Sequence, residues 1–312
     1  MDATGEAEIV RVLVVGLGSI GMRHARLLQE LGCDVAAVTA RRDITLPVFS
    51  ELASALAAHR PSIVVIANTT NLHYSTLQEL SALGFTGRVL VEKPLFDQPR
   101  DLPASSFASL HVGYNLRFHP VIQRVRDLIR TERVLMAQAY VGQYLPEWRP
   151  GTNYNVSYSA DAERGGGVLR DLSHELDFLT TFFGKWTAIA AIGGHFGSLD
   201  ITSDDAQSLL IRMENCPAVA IQMNYLDRMG RRFILINTDT RTIKADLVSG
   251  TITIDRHVEK LTVAGDTSYL AMHRALIEGT FRELCSADEG LATLGLIEAV
   301  EKAERLEKWI FR

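Results

Sequence analysis

The sequence predicts an α/β fold in which a doubly wound parallel sheet forms the N-terminal part of the chain. The apolar, mostly β-branched run Val12 to Val15 has the composition of a strand that is buried on both faces. It leads through the glycine-rich segment 16–21 into residues whose apolar positions recur at helical spacing. Further apolar strand segments then alternate with helical segments as far as Leu95, and this alternation is typical of parallel sheets.

The segment between the first strand and the first helix has the pattern GxGxxG. In this context the first glycine permits a tight turn, the second lets the backbone approach a pyrophosphate, and the third lets helix and strand pack closely. A helix N-terminus also offers free N–H groups and a positive dipole to phosphate. The alternative is a simple glycine-rich turn. We predict a dinucleotide bound at Gly16, Gly18, Ser19, Ile20 and Gly21.

The residues after the second predicted strand, 33–39, indicate which dinucleotide is bound. A protein specific for NAD usually has an acid there to hold the ribose 2′-hydroxyl. This chain has Ala40 followed by Arg41 and Arg42, and guanidinium groups suit a 2′-phosphate better than a bare hydroxyl. The sequence therefore predicts NADP as the preferred cofactor, while Asp43 keeps NAD as an alternative.

Bulk properties exclude several classes of protein. A chain of 312 residues is long enough for two domains. Its formal charge of -5 gives no electrostatic case for nucleic acid, and no apolar run approaches the length of a membrane span. The polar N-terminus lacks a signal-peptide core, and the 3 cysteines fit reduced thiols without zinc-ligand spacing. We expect a cytoplasmic protein with no metal site that binds neither nucleic acid nor membrane.

The loop after the next buried strand, 62–67, also lies at a carboxyl end, which is the usual side for a cofactor. Asn68 and Asn71 are candidates either for capping the following helix or for contacting the nicotinamide ribose. We place both residues, together with His73, in the predicted cofactor-binding set.

A charged pair, Glu92 and Lys93, follows another strand and precedes Pro94. A lysine at such a place beside a dinucleotide can hydrogen-bond a reacting oxygen and stabilise negative charge on it. The alternative is a surface ion pair of little energetic consequence. We predict that Lys93 is catalytic and that both residues of the pair contact the cofactor.

The second half of the chain begins, in our prediction, near Asn115. Between residues 187 and 254, segments with the composition of strands are separated by turn residues. Helices are expected over 268–285 and 290–309. The loop 143–154 combines aromatic rings with an arginine, which suits stacking on a sugar face and holding an anionic substituent. The alternative is a loop anchored by buried aromatic residues. The substrate-binding candidates outside the next motif are Arg117, Trp148, Arg149 and Tyr154.

The segment GGGVLRDLSHELD carries the strongest chemistry of this half. Its glycines are expected to allow close approach to a ligand, and one helix is expected to place Asp171, His174 and Glu175 at i, i+3 and i+4. A histidine beside a carboxylate donates and accepts protons near neutral pH. We predict that His174 is the acid-base residue and that Asp171 orients it or contacts a substrate hydroxyl. Glu175 remains the alternative to His174.

Five motifs in order, VVGLGSIGMRHARLL, NLH, VEKPL, GYNLRFHP and GGGVLRDLSHELD, together resemble the glucose-fructose oxidoreductase, inositol dehydrogenase and rhizopine-catabolism family, Gfo/Idh/MocA. The resemblance implies an N-terminal Rossmann domain and a C-terminal α/β domain with an open, mostly antiparallel sheet. It also implies NAD(P)-dependent hydride transfer at a carbon of a sugar or cyclitol, a catalytic role for Lys93, and a homo-oligomer, either a dimer or a tetramer. One departure is that many relatives have four residues from aspartate to histidine, whereas His174 follows Asp171 by three.

These observations predict a dinucleotide-binding domain over residues 1–115 and a substrate-binding and oligomerisation domain over 116–312. The predicted activity is NAD(P)-dependent oxidoreduction at a ring carbon of a sugar or nucleotide-sugar, with keto-sugar reduction slightly favoured. One alternative is an NAD-dependent inositol or free-sugar dehydrogenase. The other is a non-catalytic regulator that senses a dinucleotide, against which Lys93 and His174 argue because a sensor needs no acid-base pair.

Overall fold

The structure, a computed structural model, divides the chain into two compact units. The residues that it describes are 9–148, 151 and 153–312. Within that range, the first unit contains residues up to Asn115 together with Asp266–Gly290, and the second contains Leu116–Gly265 and Leu291–Arg312. None of the described helices is long and apolar enough to span a bilayer.

Strands and helices alternate in the N-terminal stretch. Its elements are β1 (Arg11–Val15), α1 (Ser19–Glu30), β2 (Asp34–Val38), β3 (Val48–Phe49), α2 (Leu52–His59), β4 (Ile63–Ile66), α3 (His73–Ala82), β5 (Arg88–Val91) and β6 (Ser109–Val112). The short strand β3 was not predicted. The helix α3 ends close to Gly84, whose positive φ of +73° is a conformation that stops helices.

The remaining elements begin with a helix and continue mainly as strands. They are α4 (Pro120–Ile129), β7 (Val134–Gly142), α5 (Val168–Asp171), α6 (His174–Phe183), β8 (Trp186–Gly194), β9 (Ala206–Met213), β10 (Cys216–Asn224), β11 (Arg231–Thr238), β12 (Thr242–Asp246), β13 (Thr251–Ile254), β14 (His257–Lys260), α7 (Thr267–Glu278), β15 (Cys285–Ser286), α8 (Ala287–Leu306) and β16 (Ile310–Phe311). The predicted helix 268–285 was too long, because Gly279 adopts a left-handed φ of +77° and ends α7.

The sheet of the first unit has the strand order β15-β6-β5-β4-β1-β2-β3. All neighbouring pairs are parallel except β15 with β6. Every residue of β4, and every residue of β1 after Arg11, is buried, as expected for strands with both faces covered. The prediction of a doubly wound parallel sheet is confirmed.

The helix α7 belongs to the first unit, whereas the sequence analysis placed it in the second domain. Asp266, just before α7, accepts hydrogen bonds from Arg23 at 2.8 Å and from Arg26 at 2.5 Å, both on α1. The buried His273 of α7 also contacts His24 of α1. These contacts join elements that are far apart in the sequence, so no local pattern signalled them.

The sheet of the second unit has the order β14-β13-β12-β11-β7-β10-β9-β8-β16. Only β7 and β10 run parallel; the other neighbouring pairs are antiparallel. Along β9, buried and exposed residues alternate strictly after Ala206, which is typical of a sheet with one covered face and one open face. The open, mostly antiparallel sheet implied by the resemblance is confirmed.

Candidate active site

The glycine turn after β1 is shaped by close contacts of the chain with itself. Gly16 has a φ of +90°, and its N–H donates to Val38 O at 2.9 Å. A Cβ at Gly16 would lie 2.6 Å from the backbone of Asn68, and a Cβ at Gly21 would lie 1.9 Å from the carbonyl oxygen of Gly16. These two positions therefore require glycine for the fold of the turn itself.

Gly18, in contrast, borders open space. A Cβ built on it meets no heavy atom within 4 Å. The helix α1 begins at the next residue with no side chain capping it and no acid in its first turn. Its first N–H groups therefore have no capping acceptor from a side chain, and they suit the phosphates of a dinucleotide.

The loops with predicted cofactor contacts lie at one edge of the parallel sheet. The adjacent strands β5, β4, β1 and β2 lead at their carboxyl ends to Lys93, Asn68, the glycine turn and Arg41, in that order. Three steps between neighbouring strands span about 14 Å. Arg41 and Lys93 therefore mark opposite ends of an edge whose middle is the glycine turn.

Arg41 lies against the glycine turn. Its Nη1 donates to Leu17 O at 3.3 Å, and its guanidinium forms an ion pair with Asp43 at 2.9 Å. The hydrogen bond from Arg41 lowers the pKa of Asp43. Arg42 is exposed. The structure thus places one arginine where the first helix begins and gives it an acidic partner.

The asparagines after β4 do not cap helices, because no side chain caps either helical turn of this segment. Asn68 donates to Thr76 Oγ1 at 2.9 Å, and Asn71 is exposed. His73 is buried, with Nδ1 3.1 Å from Pro94 O and Nε2 3.3 Å from Asn68 O. Burial lowers the pKa of His73. His73 therefore links the loops that follow β4 and β5.

Lys93 is half-buried, and it follows Glu92, whose two carboxylate oxygens both have contacts within the protein. The Oε2 of Glu92 accepts the backbone N–H of Lys93 at 3.1 Å, and its Oε1 lies 2.8 Å from His24 Nε2. Burial alone would raise the pKa of Glu92, but the hydrogen bond with His24 and the charge of Lys93 lower this pKa overall. The carboxylate that was predicted to touch the cofactor thus contacts protein atoms inside the unit.

The motif DLSHELD does not form one helix, so the prediction of a single helical turn was wrong. The short helix α5 ends at Asp171, and α6 begins at His174. The intervening residues Leu172 and Ser173 have ψ values of 21° and -4°, which lie outside regular helical geometry. Asp171 and His174 are both buried and stand on either side of this break.

Glu175 is committed to an ion pair. Arg232 of β11 donates to its two carboxylate oxygens at 2.7 and 2.8 Å, and the Glu175 side chain is 1% exposed. Such a bidentate contact fixes the orientation of the carboxylate. The Glu175 carboxylate is therefore occupied by Arg232.

Arg117, a predicted substrate residue, is buried in a second ion pair. It donates to Asp177 of α6 at 2.7 Å from Nη2 and at 2.9 Å from Nε, and the two side chains are 8% and 2% exposed. Removing one member of such a buried pair would leave the other as an uncompensated charge, so Arg117 is committed to Asp177. These contacts favour a structural role for Arg117 over substrate binding.

Asp171 is held by a tyrosine that the sequence analysis did not single out. The hydroxyl of Tyr225, just after β10, donates to Asp171 Oδ2 at 2.7 Å. Burial and the nearby carboxylate raise the pKa of Tyr225 well above its usual value, so it remains a donor. The indole of Trp148 packs edge-to-face on Tyr225 with ring centroids 5.2 Å apart. Two predicted site residues, Trp148 and Asp171, are thereby connected.

Tyr154 and Arg149 are the other two candidates in the predicted substrate loop. The hydroxyl of Tyr154 accepts the N–H of Asp200 at 3.2 Å. Arg149 lies outside the described residues.

The glycine run before α5 packs against the protein's own atoms. A Cβ at Gly166 would lie 2.1 Å from Tyr158 O, and a Cβ at Gly167, whose φ is +120°, would lie 1.9 Å from Asp204 Oδ1. Asp204 also accepts the N–H of Leu169 in the first turn of α5 at 3.2 Å. Burial raises the pKa of Asp204 to about 6.

Several residues that hold the candidate site in place were not found from the sequence. They are His24, Asp204, Tyr225, Arg232 and His273. Only His24 stands in a motif, three residues after the last glycine of GxGxxG. For the other four residues, the sequence offered only the general rule that a buried acid needs a partner.

A parallel sheet with a dinucleotide-type glycine turn, joined in one chain to an open antiparallel sheet, defines the class of two-domain nicotinamide-dependent oxidoreductases. The chain belongs to the Gfo/Idh/MocA family. Residues 10–105 match the oxidoreductase family model with an NAD-binding Rossmann fold, and residues 122–243 match the model of the GFO/IDH/MocA C-terminal domain. No functionally curated protein matches the chain significantly.

Solved structures with the same fold include nucleotide-sugar and sugar dehydrogenases. The WlbA dehydrogenase of Bordetella pertussis, in complex with NADH and UDP-GlcNAcA, has a TM-score of 0.80 at 18% identity over 97% of this chain and 98% of that one. UDP-N-acetylglucosamine 3-dehydrogenase GnnA of Acidithiobacillus ferrooxidans has a TM-score of 0.76 at 19% identity over 97% of this chain and 100% of that one. Levoglucosan dehydrogenase in complex with NADH has a TM-score of 0.82 at 14% identity over 97% of this chain and 99% of that one. Similarity at these identities demonstrates a shared fold.

Proposed function

We propose that the protein is a cytoplasmic oxidoreductase that uses NADP in preference to NAD and acts on a ring carbon of a sugar or nucleotide-sugar. The order of residues along the sheet edge of the first unit carries this proposal: Arg41, the glycine turn, Asn68 and Lys93. The open space at Gly18 and the uncapped start of α1 support a pyrophosphate in the middle of that edge. The free cysteines fit a reducing compartment.

The cofactor, when bound, supplies or accepts a hydride at the nicotinamide ring. Arg41 is suited to a 2′-phosphate because its guanidinium lies beside the glycine turn. We assign Lys93 to stabilising negative charge on the reacting oxygen, and His174 to giving or taking that oxygen's proton. Asp171, oriented by Tyr225, either orients the base or contacts a substrate hydroxyl.

The substrate class is a sugar or nucleotide-sugar, with reduction of a keto-sugar favoured because NADPH commonly drives reductions. The folds shared with WlbA, GnnA and levoglucosan dehydrogenase support this class. The Trp148 indole, packed on Tyr225, is a surface on which a sugar ring could stack. The open face of the second sheet carries exposed apolar residues such as Met136, Ile192 and Leu210, which supports a homo-oligomer. Light scattering of the purified protein would contradict this if the mass were that of a single chain.

The first experiment is a fluorescence titration with NADPH and with NADH. We expect tighter binding of NADPH, and we expect Arg41→Ala to reduce that preference about 10-fold, because a charge-assisted contact to the 2′-phosphate is lost. Arg11→Ala is the matched control, since Arg11 is an exposed arginine at the opposite end of β1. Preference for NADH would favour the inositol or free-sugar dehydrogenase alternative.

Turnover is then measured with a panel of UDP-sugars, free keto-sugars and inositol. Lys93→Met should abolish turnover while leaving the dinucleotide affinity within about 3-fold, because the lysine acts on the reacting oxygen. Dinucleotide binding without turnover of any substrate in the panel would favour the sensor alternative. Full activity of Lys93→Met would contradict the assignment of Lys93.

A further inference from the structure

Three buried ionisable side chains form a continuous chain inside the first unit. His24 of α1, Glu92 after β5 and His273 of α7 are 0%, 6% and 0% exposed. The Nε2 of His24 lies 2.8 Å from Glu92 Oε1, and the Nδ1 of His24 lies 2.9 Å from His273 Nε2. Buried polar groups are costly unless they are paired, so this arrangement must be satisfied internally.

Hydrogen-bond accounting places the protons in this chain. The lowered pKa of Glu92 keeps its carboxylate as an acceptor, so His24 donates to it from Nε2. His273 Nδ1 has no hydrogen-bond partner among the described residues. If His24 also donated from Nδ1, a neutral His273 would have to carry its proton on that unpartnered nitrogen. An unpaired acceptor is tolerated better than an orphaned N–H, so His273 donates from Nε2 to His24 Nδ1.

The state of His273 agrees with this arrangement. Burial lowers the pKa of His273 well below its usual value, so the imidazole of His273 is neutral. A neutral imidazole has one donor and one acceptor. The ring of Tyr269, also on α7, lies edge-on to the ring of His24, with the ring centroids 5.7 Å apart. The hydrogen bonds therefore run in one direction, from α7 through α1 to Glu92.

The carboxylate at the end of this chain is enclosed. A Cβ at Gly113, which follows β6, would lie 2.9 Å from Glu92 Oε1 and 3.1 Å from its Cδ. The other oxygen, Oε2, accepts the backbone N–H of Lys93 at 3.1 Å. Glu92 is thus held at both oxygens, with only enough room beside it for a glycine.

We propose that His273 and His24 are positioning residues for Lys93. His273 fixes the tautomer of His24, His24 orients the Glu92 carboxylate, and Glu92 holds the peptide N–H of Lys93. This inference rests on the proposed role of Lys93, and it makes α7, 249 residues away from His24, part of the apparatus that sets the lysine. Hydrogen bonds of this kind around a reacting group keep it in its productive geometry.

The first test uses the wild-type protein and requires no substrate. Histidine imidazole ¹⁵N NMR should show His24 and His273 each protonated at Nε2 and unprotonated at Nδ1. His273 protonated at Nδ1 would overturn the proposed direction of the hydrogen bonds.

The second test measures hydrogen exchange of the Lys93 amide in the cofactor-free protein. His24→Leu should accelerate this exchange about 10-fold, because Glu92 loses a charge-assisted partner. His24→Gln should stay within about 3-fold of wild type, because its amide still donates to Glu92. Exchange of the Lys93 amide should likewise be faster in His273→Leu than in His273→Gln. His59→Leu, which removes a histidine whose ring contacts Val12 O and Asp34 O at 3.2 Å and the Asp34 carboxylate at 4.0 Å, should leave Lys93 exchange unchanged.

Unchanged exchange at Lys93 in a folded His24→Leu variant would overturn the proposal. If that variant does not fold, the proposal is tested by Lys93 exchange in His273→Leu, His273→Gln and Gly113→Ala. In Gly113→Ala, the added Cβ should displace the Glu92 carboxylate and accelerate exchange. With a substrate in hand, His24→Leu should lower kcat about 10-fold at unchanged dinucleotide affinity, and His24→Gln should restore it. Loss of kcat without rescue by glutamine would contradict positioning. The exchange data are independent of turnover, so failure of the proposed function remains distinguishable.

Discussion

The two glycine-rich turns of this protein look alike in sequence and differ in the structure. Both precede a helix, and both were expected to lie close to a ligand. At the first turn, Gly18 borders open space beside an uncapped helix. At the second, the positions of the missing side chains at Gly166 and Gly167 are occupied by Tyr158 O and Asp204 Oδ1. A glycine signals that something approaches closely, but only the tertiary structure determines whether it is a ligand or the protein itself.

The residues proposed for chemistry show a second contrast. Beside Lys93, the acid is held by a histidine and the lysine's own N–H. In the DLSHELD segment, the acids are held by side chains of three other elements, namely Tyr225, Arg232 and Arg117. Ion pairs and a tyrosine therefore fix the second segment, while a chain of two imidazoles and one carboxylate fixes the first.

The largest expected effect separates the roles of the glycines in the first turn. Gly21→Ala should lower Tm by roughly 10 °C, because its Cβ would lie 1.9 Å from Gly16 O and the overpacking costs about 3 kcal/mol. Gly18→Ala should leave Tm within about 1 °C but weaken dinucleotide binding, since its Cβ points into open space. Calorimetry and titration of both variants provide the measurement. Equal loss of Tm in the two variants would remove the contrast between the turns.

A pH-dependent effect of intermediate size tests the second turn. The carboxyl of Asp204 has its pKa raised to about 6 by burial, whereas an unfolded aspartate titrates near ~3.9. The folded state binds more protons between these values, so the contribution of Asp204 to stability falls as pH rises through this window, by about 2 to 3 kcal/mol.

Asp204→Asn should remove that fall while keeping an oxygen to accept the N–H of Leu169. In urea unfolding, the variant should gain about 2 kcal/mol on wild type between pH 4.5 and pH 7, estimated from the same linkage. If the difference between the two proteins did not change with pH, Asp204 would not be titrating as described.

The smallest expected change in stability tests whether Asp171 needs its donor. Tyr225→Phe should cost about 1 kcal/mol, because one hydrogen bond to a buried carboxylate is lost. Turnover should fall about 10-fold, since Asp171 is no longer oriented. Tyr140→Phe is a matched control, because its hydroxyl donates to Asp227 at 2.8 Å outside the DLSHELD segment. If both variants lost turnover equally, the contact of Tyr225 would have no special role.

The sequence predicted the parts of the candidate site that depend on local pattern. The strand, turn and helix around Gly16 and Gly21 have the predicted form, and Lys93 lies at the carboxyl end of a parallel strand. The break at Leu172 was missed because helical spacing alone does not show where a helix is interrupted.

By itself, the sequence determined the parallel sheet and the position of the dinucleotide turn, because buried strands and glycine-dependent turns are encoded in short stretches of residues. The antiparallel second sheet was an implication of the family resemblance. The tertiary structure alone decided which side chains became partners. Arg117 paired with Asp177, Tyr225 with Asp171, and His273 with His24, all across long stretches of chain. Burial forces each polar group to find a partner, but the fold determines which partner lies within reach.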